Sequence, residues 1–305
     1  MKLAIVIPAY KSEFLDTALE SIANQTNKNF YVYIGDDNSH ENIEKVISKY
    51  VNLLTIHYKK FDVNIGGKDL VGQWERCIAM TKDESWIWLF SDDDVMEPTC
   101  VEKFYEAIND KDNNYDIYHY NVRVIDKYGG YVQDKRFAKE DFPKILTSRD
   151  FVKKRLRYQL NSFVVEYIFN RNVYNEYGGF HKLDMAWGSD DATWTKLSLK
   201  KGIFTIDGPI VKWRYSGDNI TSLESSDVMK RKGRAVVKLL SFYDSLFHDS
   251  SLNKWFYNYY LHMLYNCMKS CEWSDVKYII LLYKDKFIDI VPTMMWKLVY
   301  SIVKK

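Results

Sequence analysis

Ser91-Asp92-Asp93-Asp94 follows directly on Trp86-Ile87-Trp88-Leu89-Phe90. Adjacent carboxylates repel and raise one another's pKa unless a cation or hydrogen-bond donors compensate. Ligands of open α/β sheets sit at the carboxyl ends of the strands. A hard divalent ion carrying substrate phosphates suits such a place, because Mg²⁺ takes one or two carboxylates together with phosphate oxygens. The competing reading is electrostatic only: the acids, just ahead of Pro98, favour the positive end of a helix over 99–109. Taken alone, the triplet leaves both readings open.

Other chemistry-bearing groups fall at comparable places. Pro8-Ala9-Tyr10 ends the first apolar run and offers a rigid turn with a ring able to stack on a nucleobase. Asp36-Asp37-Asn38-Ser39 ends the second. One carboxylate there could accept from a base N–H or a ribose hydroxyl, while Asn38 or Ser39 caps the next helix. Asn64-Ile65-Gly66-Gly67-Lys68 combines glycines that let backbone approach a ligand with a cation for phosphate. Each has a plainer reading as sheet-edge cover, cap or solvated turn. Together they describe one crevice with base, ribose and diphosphate–metal stations.

Further on, Gly188-Ser189-Asp190-Asp191 precedes a helical pattern at Trp194, Leu197 and Leu199. A carboxylate at a helix N-terminus stays ionised at neutral pH, as a general base acting on a hydroxyl requires. An N-terminal cap explains the same residues. The base reading leads because the first half already implies a phosphate-activated donor.

The elements that position these groups follow from periodicity. Runs at 3–7, 30–34, 53–58 and 86–90 read as strands. Helix faces between and after them are marked by Leu15, Ala18, Leu19 and Ile22, by Ile43, Val46 and Ile47, and by Leu70, Trp74, Cys77 and Ile78. Four βα units in succession predict an α/β fold with a parallel, doubly wound sheet. Longer strands are expected at 116–126, ending in a Tyr128-Gly129-Gly130 turn, and at 162–169. Strands at 202–206 and 210–215 flank Asp207-Gly208-Pro209, a hairpin or tight corner by its turn chemistry. Beyond 227 the chain reads as helical, with two helices around Val236–Leu240 and Phe256–Leu264 and further apolar runs at 276–283 and 294–303.

Bulk properties exclude other classes. With 43 basic and 41 acidic side chains the net charge is +2, which gives no general attraction to nucleic acid. Four cysteines form no disulfide ladder, so a reducing cytoplasm is the expected location. Cys267 and Cys271 lack the second ligand pair of a zinc site. No secretory leader is evident, and no apolar stretch reaches the roughly 20 residues a membrane span needs. Trp296, Leu298, Val299, Ile302 and Val303, with Lys297, Lys304 and Lys305, form a candidate face for peripheral contact with an anionic membrane. Packing on the catalytic domain or dimerisation explains the same tail.

The ordered motifs resemble the inverting glycosyltransferases of family 2, with the GT-A fold. The resemblance covers about residues 2–222. It rests on Ile5-Val6-Ile7-Pro8-Ala9-Tyr10, Leu19-Glu20-Ser21-Ile22-Ala23-Asn24-Gln25-Thr26, Asp36-Asp37-Asn38-Ser39, Asn64-Ile65-Gly66, Ser91-Asp92-Asp93-Asp94, Tyr177-Gly178-Gly179-Phe180 and Asp190-Asp191. It implies a GT-A domain over 1–224, with a nucleotide-binding half at 1–110 and an acceptor half at 111–224, and a helical extension over 225–305. It implies nucleobase contacts from Pro8, Ala9, Tyr10 and Asp37, with Lys68 at the phosphates. Asp92 falls near the ribose, and Asp93, assisted by Asp92, on Mg²⁺ or Mn²⁺. Asp191 takes the place of the catalytic base and Asp190 that of the preceding Glu. The expected reaction moves a sugar from a nucleoside diphosphate sugar, UDP-sugar favoured, to a saccharide or lipid-linked saccharide hydroxyl. The implied setting is bacterial surface-polysaccharide, O-antigen or capsule synthesis. Two departures stand out: Ser91 replaces the first acid of the "DxD" element, and Tyr215 or Ser216 replaces a His after the last strand. Arg214 is the candidate phosphate contact in its stead. A sugar nucleotidyltransferase and a non-catalytic nucleotide- or sugar-binding relative are the alternatives. The first lacks its Gly-rich loop after strand one, and the triad of Asp92, Asp93 and Asp191 argues against the second.

Overall fold

The computed structural model describes residues 2–217, 219–270 and 277. It divides into one unit of residues 1–182 and 189–217 and a second of residues 183–188 and 218–305. The division thus falls at 217/218 rather than at the expected 224/225, and residues 183–188 go with the second unit. The apolar runs at 276–283 and 294–303, the membrane-facing candidates and Cys271 lie outside the described residues.

The first unit is built on one sheet. Strands β1 (Leu3–Ala9), β2 (Phe30–Asp36), β3 (Ile56–Lys60) and β4 (Trp86–Leu89) pair in parallel in the order β3-β2-β1-β4. Helices α1 (Leu15–Ala23), α2 (Ile43–Ile47) and α3 (Leu70–Ile78) make the crossovers. The expected βα array is therefore observed. The central strands β1 and β4 are continuous apolar runs because both faces are covered, whereas the edge strand β3 is partly exposed. Leu3, Ile5, Ile7, Val32, Ile34 and Trp88 belong to one buried core with Leu15, Leu19 and Ile22 of α1. Gly35 is required by this packing, since a Cβ there would lie 2.4 Å from Cys77 Sγ on α3.

β5 (Val95–Met96) and α4 (Cys100–Asn109) lead to β6 (Ile117–Asp126). Beyond β4 the sheet continues through β8 (Tyr167–Asn170), β6, β9 (Ile203–Tyr215) and β5, with β7 (Ile145–Leu146) also paired to β9. β8 runs antiparallel to both β4 and β6, whereas β6 and β9 are parallel. The carboxyl ends of β6 and β9 thus point the same way as those of β1 to β4. Helices α5 (Ser148–Leu156), α6 (Arg171–Glu176) and α7 (Ser189–Leu197) complete the unit.

Three local expectations are corrected. Asp207-Gly208-Pro209 makes neither hairpin nor corner: Phe204–Ile206 and Val211–Tyr215 both pair in parallel with β6, across a register shift between Tyr120 and Val122. The turn residues bulge outward while long-range pairing keeps one strand direction. The N-cap of α2 is Asn42, which accepts from Lys45 N, rather than Asn38 or Ser39. Leu199 lies beyond α7 and is exposed, so it does not extend that helix's buried face.

The second unit contains α8 (Ser226–Phe247) and α9 (Asn253–Ser270), the two expected tail helices, in contact through Tyr243 and Phe256. Arg231 of α8 forms a forked ion pair with Asp184, and Lys232 stands 4.3 Å from the ring centre of Trp187. Among the described residues no helix is long and apolar enough to cross a membrane.

Candidate active site

Hydrogen bonds gather the strand-end motifs. Asp37 N donates to Ala9 O at 2.9 Å, and Ser39 Oγ donates to Tyr10 O, so the ends of β1 and β2 are tied. The Asp37 carboxylate then accepts from Ile65 N and Gly66 N, both at 2.8 Å, and pairs with Arg76. This clamps the 64–66 loop against β2 and places Lys68, whose side chain is exposed, on the same loop. Gly66 is compelled: a Cβ would lie 2.6 Å from Asp37 Oδ2. Asp36 is absorbed structurally, accepting from Ser39 N and Tyr58 Oη. Pro8 and Ala9 close β1, and Tyr10 just beyond it remains 44% exposed.

The acidic triplet joins this edge from β4. Asp92 Oδ2 accepts from Tyr10 N at 2.9 Å and from Lys11 N at 3.2 Å. Burial and then the charge of Asp93 push its carboxyl up to about 7, against the pull of those two N–H groups. Asp93 is also raised, by burial, although the Ser91 hydroxyl donates to it. Asp94 is raised well above the ordinary range by burial and by Asp93. The three acids are not helix-end decoration, because β5 separates them from α4.

Arg214 holds the triplet from β9. Its backbone N donates to Asp94 Oδ1, and its Nε donates to Asp93 O at 2.7 Å. A further guanidinium nitrogen donates to Asp126 O at 3.0 Å, and Phe14 lies beneath the group at 4.4 Å. Arg214 is buried, and these bonds go to backbone carbonyls.

Could these acids hold a cation? Asp94 Oδ2 is buried without a hydrogen-bond partner, and the charged forms of Asp92 and Asp93 are disfavoured, the first by burial and by Asp93, the second by burial. Such an under-compensated acidic place fits a divalent ion. Among the described residues no group of three or more His, Cys, Asp or Glu forms a ready-made metal centre. The protein's share would be one or two carboxylates, the usual pattern when substrate phosphates complete the shell.

Asp190 and Asp191 open α7 and differ sharply. Arg155 Nε donates to both Asp191 oxygens at 3.0 Å, and its Nη2 donates to Oδ2 at 2.8 Å. Asp190 is instead pushed up to about 7 by burial and by its neighbour's charge. Glu166, fully buried, links the two acidic groups electrostatically, lying within range of both Asp190 and Asp94. Its carboxyl is driven up to about 8 by burial, and Oε2 has no partner. Arg155, Glu166 and Arg76 were not foreseen; their roles arise from partners remote in sequence.

Comparison with known proteins accords with this architecture. The family profile described as Glycosyl transferase family 2 matches residues 4–172. An uncharacterized glycosyltransferase of Rickettsia felis is 24% identical over 237 residues, 73% of this chain and 34% of that protein. One of Haemophilus influenzae is 21% identical over 226 residues, 72% of this chain and 67% of the other. The chain thus spans about a third of the Rickettsia relative's length. Among solved structures, residues 1–349 of S. aureus TarS in complex with UDP-GlcNAc superpose with a TM-score of 0.61 at 16% identity, covering 99% of this chain and 92% of that one. The mannosyltransferase PcManGT of Pyrobaculum calidifontis, in complex with GDP-Man and Mn²⁺, gives 0.52 at 11% identity, covering 93% and 75%. These structural likenesses establish a shared fold.

Proposed function

Because the chain belongs to glycosyl transferase family 2, we propose that it moves a sugar from a nucleoside diphosphate sugar to a hydroxyl of a saccharide or lipid-linked saccharide, inverting the anomeric carbon. The observation that carries this reading is the bond from Tyr10 N and Lys11 N to Asp92, which joins an exposed aromatic ring to the acidic triplet. A nucleotide laid along this edge would stack its base on Tyr10 beside Pro8, Ala9 and Asp37. Its ribose would reach Asp92 and its phosphates Lys68. UDP-GlcNAc bound to TarS favours a UDP-sugar, and GDP-Man with Mn²⁺ in PcManGT supports both nucleotide and cation.

Asp93, with Asp92, would hold Mg²⁺ or Mn²⁺. When bound, that ion supplies the positive charge that stabilises a departing diphosphate. Arg214 serves as a positioning residue, fixing the Asp93 carbonyl and the Asp94 carboxylate. The Asp190–Asp191 pair supplies the base. The sequence places the base at Asp191, but Arg155 occupies that buried carboxylate. In this reading the role passes to the less buried Asp190, which takes the proton from the acceptor hydroxyl as that oxygen attacks in line. One displacement inverts the centre without an enzyme-bound intermediate. A surface-polysaccharide pathway on the cytoplasmic side is the setting that follows.

Calorimetric titration of UDP with and without Mn²⁺, into wild type and Asp93→Ala, tests the reading. Metal-dependent binding that the substitution removes is expected. Failure of UDP, GDP and dTDP to bind with or without the ion would overturn it.

A further inference from the structure

Among residues that the acidic and nucleotide groups do not use, the first unit contains a cavity of about 610 Å³ lined by β6 and the 131–142 loop. That is well within the roughly 300–1,000 Å³ of small-molecule sites. Its polar walls are built rather than accidental. Asn121 Oδ1 accepts from Phe142 N at 2.9 Å, and Asn161 Nδ2 donates to Phe137 O at 2.8 Å. A backbone N–H can only donate and a carbonyl can only accept, so both amide orientations are fixed. The atoms not committed to the loop are Asn121 Nδ2, a donor, and Asn161 Oδ1, an acceptor.

One more polar group lies sealed behind the wall, under Phe142. Thr205 Oγ1 donates to Pro143 O at 2.9 Å, so in its 3.4 Å contact with His119 Nδ1 the imidazole donates. His119 Nε2 therefore bears a lone pair, and it is buried with no partner. Apolar surface comes from Phe137, braced against Trp213 and Tyr215, and from Phe142, stacked on His119 at 3.9 Å. Tyr131 stands exposed among the lining residues. Charge is balanced: the lining holds Arg123, Lys135 and Lys139 together with Asp134, Glu140 and Asp141. Arg123 and Asp141 neutralise each other at 2.6 Å.

We infer that this cavity is a carbohydrate subsite, distinct from the nucleotide crevice, that holds a neutral mono- or disaccharide unit. A fixed donor and a fixed acceptor in one lining suit sugar hydroxyls, each of which can both give and receive a hydrogen bond. Aromatic walls suit the C–H faces of a pyranose, and balanced charge disfavours a phosphorylated ligand. The choice of saccharide over other neutral polyols rests on the sugar-transfer reading above.

The test titrates lactose, maltose, cellobiose and N,N′-diacetylchitobiose into the ¹⁵N-histidine-labelled protein, with UDP plus Mn²⁺ measured separately. Asn121→Asp keeps the oxygen that Phe142 N needs but replaces the Nδ2 donor, and Tyr131→Ala trims an exposed wall. A saccharide that shifts the His119 resonance, with affinity lowered about tenfold (about 1.4 kcal/mol) by Asn121→Asp and also reduced by Tyr131→Ala, is the expected result. UDP binding should be unchanged in both variants. The inference is overturned if no saccharide perturbs His119, or if binding is indifferent to both substitutions. Loss of UDP binding alone would count against the donor site and leave this one standing.

Discussion

Arg155 grips Asp191 from α5, its Nε bonding both carboxylate oxygens and its Nη2 bonding Oδ2, with a further bond from Nη1 to Leu160 O. The side chains are 23% and 8% exposed, so the pair is largely sheltered from water. Within one acidic dipeptide, this ties down one carboxylate and leaves the other without that partner. Two acids with different environments are how one site separates structural from proton-transfer roles.

Asp191→Asn should therefore shift the pH profile of turnover rather than abolish turnover. Removing the negative charge beside Asp190 and releasing Arg155 both lower Asp190's affinity for a proton, so the acid limb of kcat moves to lower pH. Asp190→Asn should remove turnover while UDP binding persists. The reverse outcome, activity lost in Asp191→Asn and retained in Asp190→Asn, would assign the base to Asp191. Because Arg155 loses a buried partner, Asp191→Asn should also destabilise the fold by about 3 kcal/mol, read by urea unfolding.

Glu166 predicts a pH dependence of stability. Its ordinary value is 4.5 and its folded value is about 8, raised by burial. Between these pH values the folded chain holds a proton that the unfolded chain has released, so unfolding is favoured as pH rises through that window. Stability from this group is full below about 4.5 and lost by about 8. The steepest slope is about 1.4 kcal/mol per pH unit. Glu166→Gln keeps an oxygen for Phe163 N and carries no charge at any pH. Thermal melts should show the variant matching wild type near pH 5 and exceeding it near pH 8. Equal losses at both pH values would refute the assignment.

Much of this organisation was legible because it is local. Trp86 to Leu89, buried on both faces, reads as a continuous apolar run, and α1 shows its buried face at Leu15, Ala18, Leu19 and Ile22. The acids at strand ends are recognisable by type for the same reason. Their partners are not. Arg155 lies 36 positions from Asp191 and Arg214 lies 121 from Asp93, and no periodicity joins them. Nor does the Asp207-Gly208-Pro209 signal reveal that β6 will pair on both sides of it. Local turn chemistry was overridden there by a long-range ladder.

The loop held by Asp37 offers a separate test of donor binding. Gly66→Ala would place a methyl 2.6 Å from Asp37 Oδ2 and push the 64–66 segment off its anchor. The strand core does not depend on that bond, so the variant should remain folded. Affinity for UDP should fall about tenfold (about 1.4 kcal/mol). Asp37→Ala should do more, since Ile65 N, Gly66 N and Arg76 all lose their acceptor. Unchanged UDP affinity in both variants would separate this loop from the nucleotide site.

Arg214 discriminates between holding phosphate and holding the protein. Its Nε and a terminal guanidinium nitrogen reach different carbonyls, Asp93 O and Asp126 O, a forked geometry that a lysine ammonium does not reproduce. If the residue positions the acidic triplet, Arg214→Lys and Arg214→Met should lose metal-dependent UDP binding to a similar extent, by about tenfold or more. If its charge contacted phosphate directly, Arg214→Lys would retain most of the affinity that Arg214→Met loses. Raising the salt concentration adds an independent check, because ions screen an exposed charge–phosphate contact but hardly affect a buried clamp. Equal defects in the two variants, insensitive to salt, are the expected result.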